Sequence, residues 1–124
     1  MSYLLVFLGG GIGAALRHAV NIGTARWLGI SFPYGTLTVN VTGSILMGLL
    51  AGYFAFKSDA AEHWRLFLAT GILGGYTTFS AFSLDAVLLW ERNEVFLSAT
   101  YVVASVALSI AGLVMGLLIA RHFS

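Results

Sequence analysis

Four stretches of this chain are each long and apolar enough to cross a bilayer as a helix, and little sequence is left between them. A helical span takes about 20 apolar residues, and that template fits at residues 3–27, 34–56, 65–89 and 95–119. The connections are short and punctuated: Gly29 to Pro33, KSDAAEHW from Lys57 to Trp64, and ERNE from Glu91 to Glu94. Trp27, Trp64 and Trp90 stand at span ends, where indole rings favour the headgroup zone. The start, Met1 to Leu16, has no positive charge ahead of its apolar run and no small-residue cleavage site, so it reads as a retained first span. The fold class expected is an all-α membrane protein, one four-span domain over residues 1–124, multi-pass in the plasma membrane, the bacterial inner membrane being the expected one.

Composition narrows the functions. With 59% hydrophobic residues, 9% charged residues and a net charge of +1, the chain falls outside the range of soluble domains. Its six Lys and Arg are scattered, so no basic stripe implies a nucleic acid partner. The absence of cysteine excludes disulfides, thiolate metal sites and a Cys nucleophile. His18, His63 and His122 are isolated from one another and from any carboxylate pair, and no hydrolytic or redox constellation is present, so no enzyme is expected.

Four spans place both termini and the second loop on one side, with Lys57, Arg65 and Arg121, against Arg26 and Arg92 on the other. Orientation follows the excess of Lys and Arg in short loops, and this excess is slight. A chain with so weak a preference inserts either way up, which lets two copies meet antiparallel about a two-fold axis in the membrane plane. The competing account is that Arg17 or the insertion machinery selects one orientation. Small residues recur at helix-contact spacing, at Gly9 and Gly13, at Ser44, Gly48 and Gly52, and at Gly112 and Gly116. In lipid, such positions supply close backbone packing. Four tightly packed helices leave little room for a pathway, so a transport route needs a second subunit.

The third span is the unusual one. GGYTTFSAFS, Gly74 to Ser83, puts a glycine pair and a cluster of hydroxyls near its centre by count, at Thr77. Gly and Thr weaken a helix, and an unwound turn in hydrocarbon is tolerated only where its freed backbone groups find protein, water or an ion. A third helix broken near the midplane therefore points to an ion site, the alternative being a packing kink satisfied by Ser and Thr back-bonding. Phe79 and Phe82 share one face of the segment that follows. Packing is the default for phenylalanine, but ring edges are positive, and beside the Thr78 and Ser80 hydroxyls such edges suit a small anion.

The other spans add donors. Thr36, Asn40 and Ser44 form one stripe at steps of four on the second span, and Tyr101, Ser105 and Ser109 form another on the fourth. Asn40 otherwise bonds a neighbouring helix, and each Ser its own. Arg17 is a charge inside the first span, facing a cavity or snorkelling to the interface. Asp85 is the only carboxylate within a span. By count, Arg17, Asn40, Phe82, Asp85 and Tyr101 lie in one membrane half, as lining a shared vestibule would require. Donors dominate throughout, which favours an anion over a cation or a proton.

GGGIGAALRH (Gly9 to His18), GTLTVNVTGSILMG (Gly35 to Gly48) and GILGGYTTFSAFSLD (Gly71 to Asp85) closely resemble signature stretches of the Fluc/CrcB family of fluoride channels, in order and over essentially the whole chain. The resemblance implies an antiparallel homodimer with two fluoride pathways along its interface, and a structural sodium ion on the axis that is not transported. By position it implies that backbone carbonyls of Gly74 and Thr77 hold the sodium, that Phe79 and Phe82 are the edge-on rings, and that Asn40 donates to the ion. Tyr101, Ser105 and Ser109 resemble the family's hydroxyl track, and Arg17 the arginine of its first motif. His18 stands where Tyr is usual, Ala81 where Thr is commoner and Asp85 where Glu is frequent. The resemblance implies passive fluoride export and hence resistance to fluoride toxicity. Two other readings of the residues remain: a small proton-coupled multidrug exporter, for which Asp85 is the only carboxylate candidate, and a structural subunit of a membrane complex.

Overall fold

The first helix ends where the sequence offers a dihedral that suits glycine. In the computed structural model, which describes residues 1–54 and 62–123, α1 (Ser2–Leu28) stops at Gly29, whose φ of 85° is open to a residue without Cβ. The Gly29 N–H returns to the Ala25 carbonyl at 3.1 Å. Pro33 then precedes α2 (Tyr34–Phe54), and its carbonyl accepts the Leu37 N–H at 3.2 Å.

The third span is assembled from pieces. They are α3 (Glu62–Arg65), a π-helical segment Leu66–Leu73, α4 (Gly74–Tyr76), two extended residues, and α5 (Phe79–Glu91). A turn follows with Asn93 at φ 63°, a conformation that Asn tolerates better than most residues, and the chain continues as α6 (Val95–Phe123). Among the described residues, four helices are long and apolar enough to cross a membrane: Ser2–Leu28, Tyr34–Phe54, Glu62–Glu91 and Val95–Phe123. They lie within a few residues of the spans expected from sequence. The expected end of the second span at Phe56, and the loop charges Lys57 and Asp59, lie outside the described residues.

Packing pairs α2 with α6 and α1 with the π-helical segment and α4. Both pairs approach through glycine. A Cβ on Gly13 would overlap the Ile72 carbonyl, and one on Gly48 would overlap the Leu113 carbonyl. The expected small-residue contacts at Gly9, Gly13, Gly48, Gly52, Gly112 and Gly116 are all buried. Ser44 departs from that expectation. Gly43 makes the close approach instead, against Thr77 and Tyr76, while Ser44 turns into a groove. One residue rotates a helical position by about 100°, enough to exchange a helix contact for a free face.

The fully buried side chains are few, with Tyr101, Leu89 and Val39 the largest of them. Phe82, Leu89 and Tyr101 form one cluster, flanked by Phe32, Leu37, Ala86 and Leu97. Large apolar side chains such as Phe7, Ile110 and Leu118 are exposed on the outside, where lipid or another chain is the partner that an apolar surface of this extent calls for.

Candidate functional site

The site begins where the third span stops being helical. Thr77 (φ −87°, ψ 159°) and Thr78 (φ −155°, ψ 118°) are extended, so the backbone ladder is interrupted and its groups need other partners. Asn40 on α2 supplies them for Thr78. Its Nδ2 donates to the Thr78 carbonyl at 3.0 Å while its Oδ1 accepts the Thr78 N–H at 2.8 Å, a pair of bonds like those of a β-ladder. The Thr78 hydroxyl caps α5 by accepting the Ala81 N–H at 3.1 Å and lies 3.3 Å from the Ser80 hydroxyl. Thr77 folds back, its N–H and its hydroxyl both donating to the Leu73 carbonyl at 3.0 Å. On α1, Arg17 Nε donates to the Gly75 carbonyl at 3.1 Å, which sets a cation at the C-terminal end of α4 where the helix dipole favours one.

Beside this junction runs an open groove of about 380 Å³. Asn40, Ser44, Thr77 and Thr78 line one part of it, Phe79 and Phe82 another, and Ser105 and Ser109 the α6 wall. The Ser105 and Ser109 hydroxyls are buried and without a hydrogen-bond partner among the described residues. A helical Ser commonly bonds back to the carbonyl one turn earlier, and neither does so here. Two donors are thus left unspent on a groove wall, where buried polar groups are ordinarily paired. Phe79 is 77% exposed and Phe82 is buried, their ring centroids 5.4 Å apart at 51°.

Behind Phe82 lies Tyr101, wholly buried, its ring 5.2 Å from that of Phe82 and edge-on to Phe32 at 5.5 Å and 89°. Its hydroxyl donates to Asp85 Oδ2 at 3.1 Å. Asp85 faces a second open cavity of about 340 Å³, lined also by Thr36 and, toward the loops, by Arg92. Thr36 and Asn40, one turn apart on α2, therefore line different spaces.

Of the residues singled out from sequence, Asn40, Thr77, Thr78, Phe79, Phe82, Ser105 and Ser109 meet in the groove. Tyr101 lies beneath it, Ser80 joins it through Thr78, and Gly74 is exposed on the face of α4. Arg17 is held apart at Gly75, so the vestibule expected to be shared by Arg17, Asn40, Phe82, Asp85 and Tyr101 is not one space. The reason is that α1 packs on α4 and the π-helical segment, while the groove is walled by α2, α5 and α6. Sequence reasoning missed Gly43 and Met47 as lining residues and the Thr42 hydroxyl bond to Tyr76 at 2.9 Å. The Gly43-Ser44 pair was the available signal for the first of these.

A family model described as CrcB-like protein, Camphor Resistance (CrcB), matches residues 4–117. The chain belongs to the CrcB family. Three relatives in this family are similar over nearly their whole length. A Nitrobacter hamburgensis protein named fluoride-specific ion channel FluC 2 is 59% identical over 124 residues, the whole of both chains. A Rhodopseudomonas palustris (strain BisB5) protein named fluoride-specific ion channel FluC is 64% identical over 121 residues, 98% of each chain. One of the same name from Granulibacter bethesdensis is 56% identical over 121 residues, 98% of this chain and 95% of the relative. With four spanning helices and CrcB membership, the protein is a multi-pass integral membrane protein, and the names its relatives carry are those of ion channels.

Proposed function

We propose that this chain is a fluoride-selective channel that lets fluoride leave the cytoplasm passively and so protects the cell from it. The carrying observation is the groove in which two unpartnered hydroxyls, at Ser105 and Ser109, stand opposite the Phe79 and Phe82 rings. Fluoride is small and strongly hydrated, so a pore must replace its water with donors while staying narrow enough to refuse larger ions. Hydroxyls without a partner can turn to an anion with no bond to break, and ring edges add positive potential. The names of the full-length relatives support the same ion. Among the groove's lining residues there is no carboxylate to trade protons, Asp85 being in the other cavity. Hydrogen fluoride entering from acid surroundings dissociates in the neutral cytoplasm, and the trapped anion leaves by this route.

The pathway is completed by a second, antiparallel copy. Support comes from the open side of the groove, the exposure of Phe79 and the near balance of loop charges. A sodium ion at the seam fits the donors available. The Thr78 N–H, which a continuing helix would give to the Gly74 carbonyl, goes to Asn40 instead, and Gly74 is exposed. Carbonyls of Gly74 and Thr77 near the end of α4 are hard oxygen ligands suited to such a cation. Bound there, it would supply fixed positive charge and bridge two third spans.

The test is purified protein in liposomes, assayed for fluoride against chloride efflux, with Phe79→Ile and Phe82→Ile beside the wild type. Selective fluoride efflux without a proton gradient, reduced in both variants, is expected. Efflux that needs a proton gradient contradicts the channel reading. Unchanged efflux in both variants removes the rings from the path.

A further inference from the structure

The groove carries the unspent donors, but the cavity beside Asp85 is the one that opens toward the loops. Its inner end holds the Asp85 carboxylate, which accepts the Tyr101 hydroxyl, and its rim holds Arg92, the first residue after α5. The two are seven residues apart, about two turns, which sets the Arg92 backbone roughly 10 Å further along than that of Asp85. Arg92 Nη2 donates to the Ser31 carbonyl at 3.1 Å, tying the α5–α6 turn to the α1–α2 connection. A guanidinium has five N–H donors, so that bond fixes the group at the rim and leaves its charge and most of its donors for the cavity. Glu91 and Glu94 flank it in sequence, yet neither lines the cavity.

We propose that this cavity is an outer mouth of the groove, the two meeting through the Phe82–Tyr101 ring contact of 5.2 Å and the Tyr101 bond to Asp85, and that Arg92 is the recruiting residue there, which raises the local concentration of monovalent anions and offsets the repulsion from Asp85 further in. The inference rests on the channel reading and names a residue for it. A space of about 340 Å³ is many times the roughly 30 Å³ of one water molecule, so an anion is still hydrated there. Arg92 therefore sets the rate of capture and leaves the choice between fluoride and chloride to the groove. A unit charge at roughly 10 Å in water changes local anion occupancy about two-fold, and salt screens the effect away.

The experiment compares wild type, Arg92→Gln and Arg92→Lys in vesicles of zwitterionic phosphatidylcholine, following fluoride efflux with an electrode. Impermeant electrolyte is set at about 10 mM, where the screening length is about 30 Å, and at about 1 M, where it is about 3 Å. Arg92→Gln is expected to lose up to about two-fold of the flux at low salt and to match the wild type at high salt. Its fluoride-to-chloride ratio stays unchanged, and Arg92→Lys restores the rate. A deficit of equal size at both salt concentrations, no deficit at either, or failure of Lys to restore flux overturns the proposal. If Arg92→Gln does not fold, wild-type flux that is flat across the two conditions overturns it as well. A wild type that carries no fluoride sinks the channel reading itself, whereas the other adverse outcomes sink only the role of Arg92.

Discussion

Two kinds of polar residue meet at the groove, and a hydrogen-bond count separates them. Asn40 is engaged with the Thr78 backbone through both its amide nitrogen and its amide oxygen, in bonds of 3.0 and 2.8 Å, with its second N–H left over. Removing it leaves a donor and an acceptor inside the membrane without partners, each costing about 1–3 kcal/mol. Asn40→Ala is therefore expected to destabilise the protein by about 2–6 kcal/mol, read from denaturant or thermal unfolding in detergent. Among the described residues Ser105 and Ser109 have no bond to lose, so Ser105→Ala and Ser109→Ala should change stability by less than about 0.5 kcal/mol while lowering fluoride flux. Ser98→Ala serves as the comparison, since it gives up a 2.8 Å bond to the Ala86 carbonyl worth about 1 kcal/mol. Serine variants at 105 and 109 that destabilise as Ser98→Ala does, with flux intact, would make those hydroxyls structural.

Among the elements, contact between α1 and the third span depends on which glycine faces which backbone. Gly13 lies against the Ile72 carbonyl, whereas a Cβ on Gly10 meets nothing within 4 Å. Gly13→Ala should force the two helices apart and cost about 1–3 kcal/mol, the usual range for overpacking. Gly10→Ala should be neutral or gain up to about 1 kcal/mol from helix propensity. Equal unfolding midpoints for the two variants would contradict this packing. Both glycines sit in the same GGGIG run, and sequence alone marked Gly9 and Gly13 for contact by their spacing of four. That spacing is legible because a helix repeats its faces nearly every four residues, and it failed at Ser44 because a face is shared by neighbours one position apart. The spans were legible because hydrocarbon thickness fixes helix length. The partners of the polar side chains were not. Asn40 finds Thr78 across 38 residues and Arg17 finds Gly75 across 58, separations over which a sequence names the group that must be satisfied but not what satisfies it. Arg92 showed only as a loop charge counted for topology, and no residue type announces the π-helical segment Leu66–Leu73.

For the molecule as a whole, the decisive quantity is a difference between small numbers of charges. Lys57, Arg65 and Arg121 oppose Arg26 and Arg92, an excess so slight that it gives the rule of positive charge on the cytoplasmic side little to act on. If the working unit is an antiparallel pair, activity requires both orientations in one membrane. His63→Lys with His122→Lys adds charge to the heavier side, while Leu28→Lys and Ile30→Lys with Lys57→Gln reverses the balance. Each set drives the population toward one orientation, so each variant expressed alone should lose most fluoride resistance and most efflux from membrane vesicles. Co-expressing the two supplies both orientations and should restore them. Assembly is thereby separated from folding, because the described residues changed in either set lie outside the groove lining and each chain still packs its own glycine contacts. A strongly biased variant, shown by terminal reporters to sit one way up and yet fully active alone, would exclude the antiparallel pair and require each protomer, or a parallel assembly, to close the groove by itself.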